Sequence, residues 1–288
     1  MFRPSRSVRE VGLSRRSELF RLLGTTIRDK NHHVNIAETA LILGAFDRPE
    51  TDLSAYRQHV QSIAQHVSSL TSSTASVAQQ SAALQRTLAG EFGYRGDNEN
   101  YDDMRNANLL HVIDRRRGLP VALGILYIQA ARAYGADVAG LSFPSHFLIR
   151  LTARGQRTII DPFHGGQTLT TADLRKRLKD ITGEHAEISP IHYEDVTDRD
   201  VLIRLQNNIK VRAIADGNLE RALDILDIMR RLAPHRSELW WETAVLLSRA
   251  GKHARAITTL ESYLSKAEPE NGREQIEDLL KRLKARVN

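Results

Sequence analysis

Three observations predict an α+β fold, with a helical N-terminal lobe and a core carrying a small antiparallel sheet, followed by an α-helical repeat stack. Apolar residues recur at helical spacing through the first third of the chain. The period then shortens to two over residues 137–161. Beyond residue 195, two helical segments repeat at an offset of 34.

Composition narrows the function classes. The 288 residues are 41% apolar and 26% charged, a globular balance. No run reaches the roughly eighteen apolar residues of a membrane span, so no membrane partner is expected. The chain has no cysteine, which excludes disulfides, thiolate metal sites and cysteine catalysis. A reduced, cytoplasmic setting is the expectation, with no cofactor. The net charge of +6 is mostly local: residues 1–30 hold eight Lys and Arg against three acidic residues. They read as a basic, partly disordered leader without the apolar stretch of a secretory signal. The rest of the chain is nearly neutral, so nucleic acid is not an expected partner.

Residues 31–92 read as a helical lobe. "NIAETALILGAFDRPE" stops at Pro49, and Thr51 or Asp52 caps "LSAYRQHVQSIAQHVSSL". After the break at "TSST" comes a third amphipathic segment. His32 and His33, at the start of the lobe, have no partner at ligand spacing. The core follows over residues 93–193. It opens with "GYRGDNENYDDMRNANL", where Asp97, Glu99, Asp102 and Asp103 lack the order of an EF-hand loop and suit turns and caps instead.

"GLPVALGILYIQAARAYG" puts Pro120 at a first helical position, where its missing N–H costs nothing, and Gly135 at the C-terminal cap. The helix is apolar on nearly every face and is expected at the centre of the core. "DVAGLSF", "HFLIRLT" and "RTIID" read as three strands, with "ARGQ" as a hairpin turn. A two-residue turn at Ala153–Arg154 sets His146 directly opposite Asp161. A shift of the loop centre by one residue leaves them diagonal on the same face, whereas an odd loop length would separate them. "DPFHGGQTLT" reads as a loop, and Thr171 as the cap of the basic helix "ADLRKRLKDI".

Residues 195–288 contain the repeat. Gly217 aligns with Gly251, Ala222 with Ala256, Leu223 with Ile257 and Leu226 with Leu260, a tetratricopeptide (TPR) pattern of paired helices. Trp240 and Trp241 open the second repeat and are candidate partner-binding residues for a protein or peptide. One of them is expected to fill the groove between repeats.

"NYDDMRNANLLHVIDRRRGLPVALGILYIQAARAYG", "GLSFPSHFLIRL" and "DPFHGG", followed by these repeats, resemble the bacterial SirB-type family, a transglutaminase-like (papain-like) core joined to TPR units. The resemblance spans residues 35–285. It implies a nucleophilic thiol at the start of the central helix, then a histidine and an aspartate. Carried over by position, Pro120 falls where the thiol would be, His146 on the histidine and Asp161 on the aspartate. Ser145 stands where the family motif implies glycine, and His164 where it implies a small polar residue. Proline has no nucleophilic side chain. The expected function is therefore a non-catalytic interaction or regulatory protein, a pseudoenzyme in which His146 and Asp161 remain as a remnant dyad. The competing expectation is a hydrolase or acyl transferase of amide or ester bonds that uses His146 and Asp161 with a non-cysteine nucleophile. Ser145 does not suit that role if the strand includes it, because alternation turns its side chain away from His146. Tyr101 and Tyr127 have no placement from sequence. His146, Asp161 and His164 together are a weaker candidate for metal.

Overall fold

The computed structural model describes residues 6–27, 34–266 and 272–287; His32 and His33 lie outside them. The chain packs as two units, Met1–Leu205 and Gln206–Asn288. The sequence places the junction at residue 194, and the structure differs. The Asp195–Val196 strand pairs with Leu141 and Gly140, and Arg204 donates to the Phe143 carbonyl at 3.1 Å. Residues 195–205 therefore complete the first unit.

In the first unit α1 (Arg6–Thr26) precedes α2 (Ile36–Ala45), α3 (Ser54–Leu70) and α4 (Val77–Gln85). Residues 1–5 and 28–30 of the expected basic leader lie outside the described residues, and its second half is partly buried. Leu19 and Leu23, one turn apart, are buried, and Phe20 packs on Phe46 with ring centroids 4.8 Å apart. The basic residues masked an apolar stripe at helical spacing. Caps fix the helix starts: Asn35 accepts from the Glu38 N–H, and Ser76 and Gln79 form a reciprocal capping box.

The short strands β1 (Arg95–Gly96) and β2 (Arg117–Gly118) pair in parallel on either side of α5 (Leu109–Arg115). They lead into α6 (Pro120–Ala133), whose residues 120–128 are all buried. Gly135, at φ +81°, closes it by donating to the Arg132 carbonyl at 3.0 Å. This is the expected central helix.

The sheet has five strands rather than three. Beside β3 (Asp137–Leu141), β4 (Ile149–Ala153) and β5 (Gln156–Asp161) lie β6 (Gln167–Leu169) and β7 (Asp195–Val196). The order is β6-β5-β4-β3-β7, with every pairing antiparallel. β6 came from the stretch read as a loop. Both added strands are edge strands of two or three residues, too short to show a period. The hairpin turn is Arg154–Gly155, not Ala153–Arg154: Ala153 pairs with Gln156, and both turn residues have positive φ, the geometry that matches strand twist. Thr170, not Thr171, caps α7 (Thr171–Thr182), in a box with Asp173.

α8 (Asp198–Ala215) is followed in the second unit by α9 (Leu219–Leu232), α10 (Ser237–Arg249), α11 (His253–Leu264) and α12 (Arg273–Val287). The repeat seen in sequence is also a repeat of hydrogen bonds. Asn218 N–H donates to Ala213 and Lys252 N–H to Leu247, both at 2.8 Å. Gly217 donates to Ile214 and Gly251 to Ser248, both at 3.0 Å. Both glycines sit at φ +72°, where a side chain would be strained. Ala222 and Ala256, and Leu226 and Leu260, are fully buried, so the small residues mark close helix contacts.

Candidate functional site

The sheet and its loops bring His146, Asp161 and His164 together, as the sequence pattern suggested but by a different route. The one-residue shift of the hairpin turn moves His146 off direct opposition to Asp161. The β4–β5 ladder ends at Ile149 and Ile160, so His146 lies before the strand. It is carried there by Ser145, an exposed residue at φ +55°. Strand alternation therefore does not govern Ser145. That left-handed backbone is one glycine adopts at least cost, which gives a physical reason for the glycine that the resemblance implies.

Asp161 ends β5 with its side chain wholly buried. Its Oδ1 accepts from His146 Nε2 at 2.9 Å, from the Phe163 N–H at 3.0 Å and from the His164 N–H at 3.3 Å. Its Oδ2 accepts from His164 Nδ1 at 2.8 Å and forms an ion pair with the Arg177 guanidinium of α7 at 2.8 Å. Burial pushes this carboxyl upward, but the hydrogen bond and charge of His146, the His164 hydrogen bond and the Arg177 charge outweigh it and hold it at about 2. An ionised carboxylate only accepts, so each ring nitrogen on it carries a hydrogen. His146 is left with Nδ1 as its second nitrogen.

Phe163 locks this arrangement. Its ring meets the His146 ring edge-on at 5.9 Å, the His164 ring at 5.2 Å and the Tyr101 ring at 5.7 Å. A side chain on Gly96 would come within 2.5 Å of the Phe163 ring, and Gly96 N–H donates to the Phe163 carbonyl at 2.9 Å. Gly96 is bridged to Gly118, so one strand pair links the start of α6, and Pro120, to the residues around His146. Tyr127 is fully buried beneath the turn that carries His164. A side chain on Gly166 would lie 2.7 Å from its hydroxyl. That hydroxyl has no hydrogen-bond partner among the described residues. Burial and then the Asp161 charge push the phenol up, which makes it a poor nucleophile.

Sequence reasoning missed Arg177, because it sits within a run of basic residues that reads as a solvated face. Its neighbour Leu178 and the nearby Leu174 are buried, and that spacing was the available signal. Sequence reasoning also missed a polar cluster beside the approach to α6. Arg116, at φ +57°, donates to His59 Nε2 at 2.6 Å and to the buried Tyr94 hydroxyl. That hydroxyl lies 2.8 Å from the same His59 nitrogen. Arginine can only donate, so this nitrogen must be unprotonated.

Burial, and then the Arg116 charge, hold His59 at about 4, well below its ordinary 6.5. The unfolded chain therefore takes up the proton first. Stability present above pH 6.5 is lost as pH falls towards 4. With His59 only half shielded, we expect a loss of about 1–2 kcal/mol after solvent screening. Urea unfolding at both ends of this window should show it, and His59→Gln, which accepts without titrating, should flatten it. An unchanged slope in that variant would contradict the assignment.

The acidic loop serves as expected for turns and caps. Asp97 is buried, paired with Arg115 at 2.9 Å, and accepts from the Asn100 N–H. Asp103 caps the following turn.

In the second unit the tryptophans separate. Trp240 is used internally: its ring lies between the Arg230 guanidinium at 4.6 Å and Tyr263 at 5.6 Å, and its indole N–H donates to Pro234. Trp241 is 40% exposed. A pocket of about 430 Å³ opens between α9, α10 and α11, lined by Asp224, Asp227, Arg230, Lys252, Arg255 and Thr259 among others. No helix among the described residues is long and apolar enough to cross a membrane.

Two family models match the chain. The transglutaminase-like superfamily covers residues 54–207, and a tetratricopeptide repeat covers residues 209–283. A UPF0162 protein of Xylella fastidiosa is 29% identical over 80% of this chain and 83% of its own length. A UPF0162 protein of Vibrio cholerae is 30% identical over 70% and 74%. F-box only protein 21 of Homo sapiens is 26% identical over 54% of this chain and 26% of that protein.

Proposed function

The chain belongs to the transglutaminase-like superfamily, in the UPF0162 (SirB-type) form whose core is followed by TPR repeats, and on that premise we propose that it is a non-catalytic scaffold that binds a protein or peptide partner through its repeats. The observation that carries this reading is a missing nucleophile beside an intact strut. No cysteine occurs anywhere, and Pro120 heads α6, where a helix N-terminus would otherwise activate a thiol. Asp161 meanwhile accepts four hydrogen bonds, pairs with Arg177, and ties two loops and a helix together. Such a carboxylate holds structure whether or not His146 moves a proton.

For the repeats, the general use of stacked helix pairs is partner recognition along their surface. Exposed Trp241 supplies apolar area of the kind that anchors interfaces. Lys252 and Arg255 are among the residues that line the charged pocket. We expect affinity capture with the full chain to recover a partner, and the surface variant Trp241→Ala with Arg255→Glu to reduce recovery at least tenfold while circular dichroism stays unchanged. Equal recovery with the variant would sink the role of the repeats.

A further inference from the structure

The cluster around Asp161 carries a second possibility that the scaffold reading neither needs nor uses. One donor atom from each of His146, Asp161 and His164 lies within 4.8 Å of the other two. We infer that these three side chains form a binding site for a zinc-class divalent metal ion, with two imidazoles and one carboxylate as ligands. This donor set is one that zinc favours, and three protein ligands leave a fourth position for water.

The geometry needs little rearrangement. Zinc bonds of about 2.0–2.1 Å in tetrahedral array put donor atoms roughly 3.3 Å apart. The imidazole–carboxylate distances are now 2.9 and 2.8 Å, and the two rings use different carboxylate oxygens. The rings are 5.9 Å apart and tilted by only 30°, so both present to the same space. On binding, the ion takes the place of the protons that the rings now share with the carboxylate.

The surroundings are those of a supported site. Phe163 packs against both rings. The backbone N–H groups of Phe163 and His164, and the Arg177 guanidinium, hold the carboxylate from behind, as outer partners do in metal sites. Gly165 and Gly166, both with positive φ, turn the chain back after His164. The side chain of His164 is 43% exposed and that of His146 is 13% exposed, which gives an ion a path from solvent on one side and a buried carboxylate on the other. Arg177 opposes a cation at close range, so moderate rather than extreme affinity is expected.

The test is titration of the full chain, stripped with a chelator, with zinc chloride in a calorimeter and with cobalt(II) in the visible spectrum. The expected result is one ion per chain and the intense d–d bands of a four-coordinate cobalt site. His164→Asn, an exposed change that leaves the fold alone, should weaken zinc at least tenfold and remove those bands. His146→Asn should do the same, with circular dichroism confirming that it folds. Absence of uptake, or uptake that both variants retain, as scattered surface histidines would give, overturns the inference.

Discussion

Phe147→Ala should destabilise the first unit by about 3–5 kcal/mol, the range for deleting a buried aromatic ring. Phe147 is 1% exposed and is clamped between the central helix and the sheet. A side chain on Gly124 of α6 would overlap its ring, and one on Gly140 of β3 would lie 2.6 Å from it. The Arg204 guanidinium covers the same ring at 5.6 Å. Two glycines thus form the slot and the phenylalanine fills it, one residue after His146. Collapse cannot refill the space, because both walls are backbone. Gly124→Ala should be damaging for the opposite reason, overpacking. Chemical denaturation of the full chain, following the first unfolding transition, would measure both. A Phe147→Ala loss below about 1 kcal/mol would mean that the slot closes and the packing account is wrong.

Asp161→Ala is the second large effect, expected at about 3 kcal/mol. Removing the carboxylate leaves the Phe163 N–H and the two imidazoles without their shared acceptor and Arg177 without its counter-charge. Breaking a buried charged cluster on one side costs more than any single contact in it contributes. His164→Ala should cost less than about 1 kcal/mol, since that side chain is 43% exposed and solvent screens its pairing. The contrast between the two variants in one denaturation series separates a strut from a surface ion pair. Similar small losses in both would show that Asp161 does not hold the loops.

The elements legible in the sequence were those with long periods or strong punctuation. The buried helix announced itself by Pro120, Gly135 and unbroken apolar content, and the repeats by their matched glycines and alanines. The His146–Asp161 proximity was expected from strand alternation, but the structure reaches it otherwise: the turn is Arg154–Gly155, and His146 lies before β4, carried by Ser145 at positive φ. Less legible was anything that depends on contacts across the chain. Phe163 joins the site through ring contacts that no sequence pattern marks, and Arg177 was signalled only by the buried Leu174 and Leu178 beside it. The edge strands β6 and β7 are defined only by the neighbours they bond. The leader's Leu19 and Leu23 were hidden among arginines whose charges dominate composition but not burial.

The central claim, a transglutaminase-like core without turnover, is tested most directly by assaying amide hydrolysis, ester hydrolysis and glutamine-to-amine transfer with the full chain, with and without added zinc. The account predicts rates indistinguishable from those of a His146→Ala variant. Turnover that the native chain shows and His146→Ala loses would contradict it.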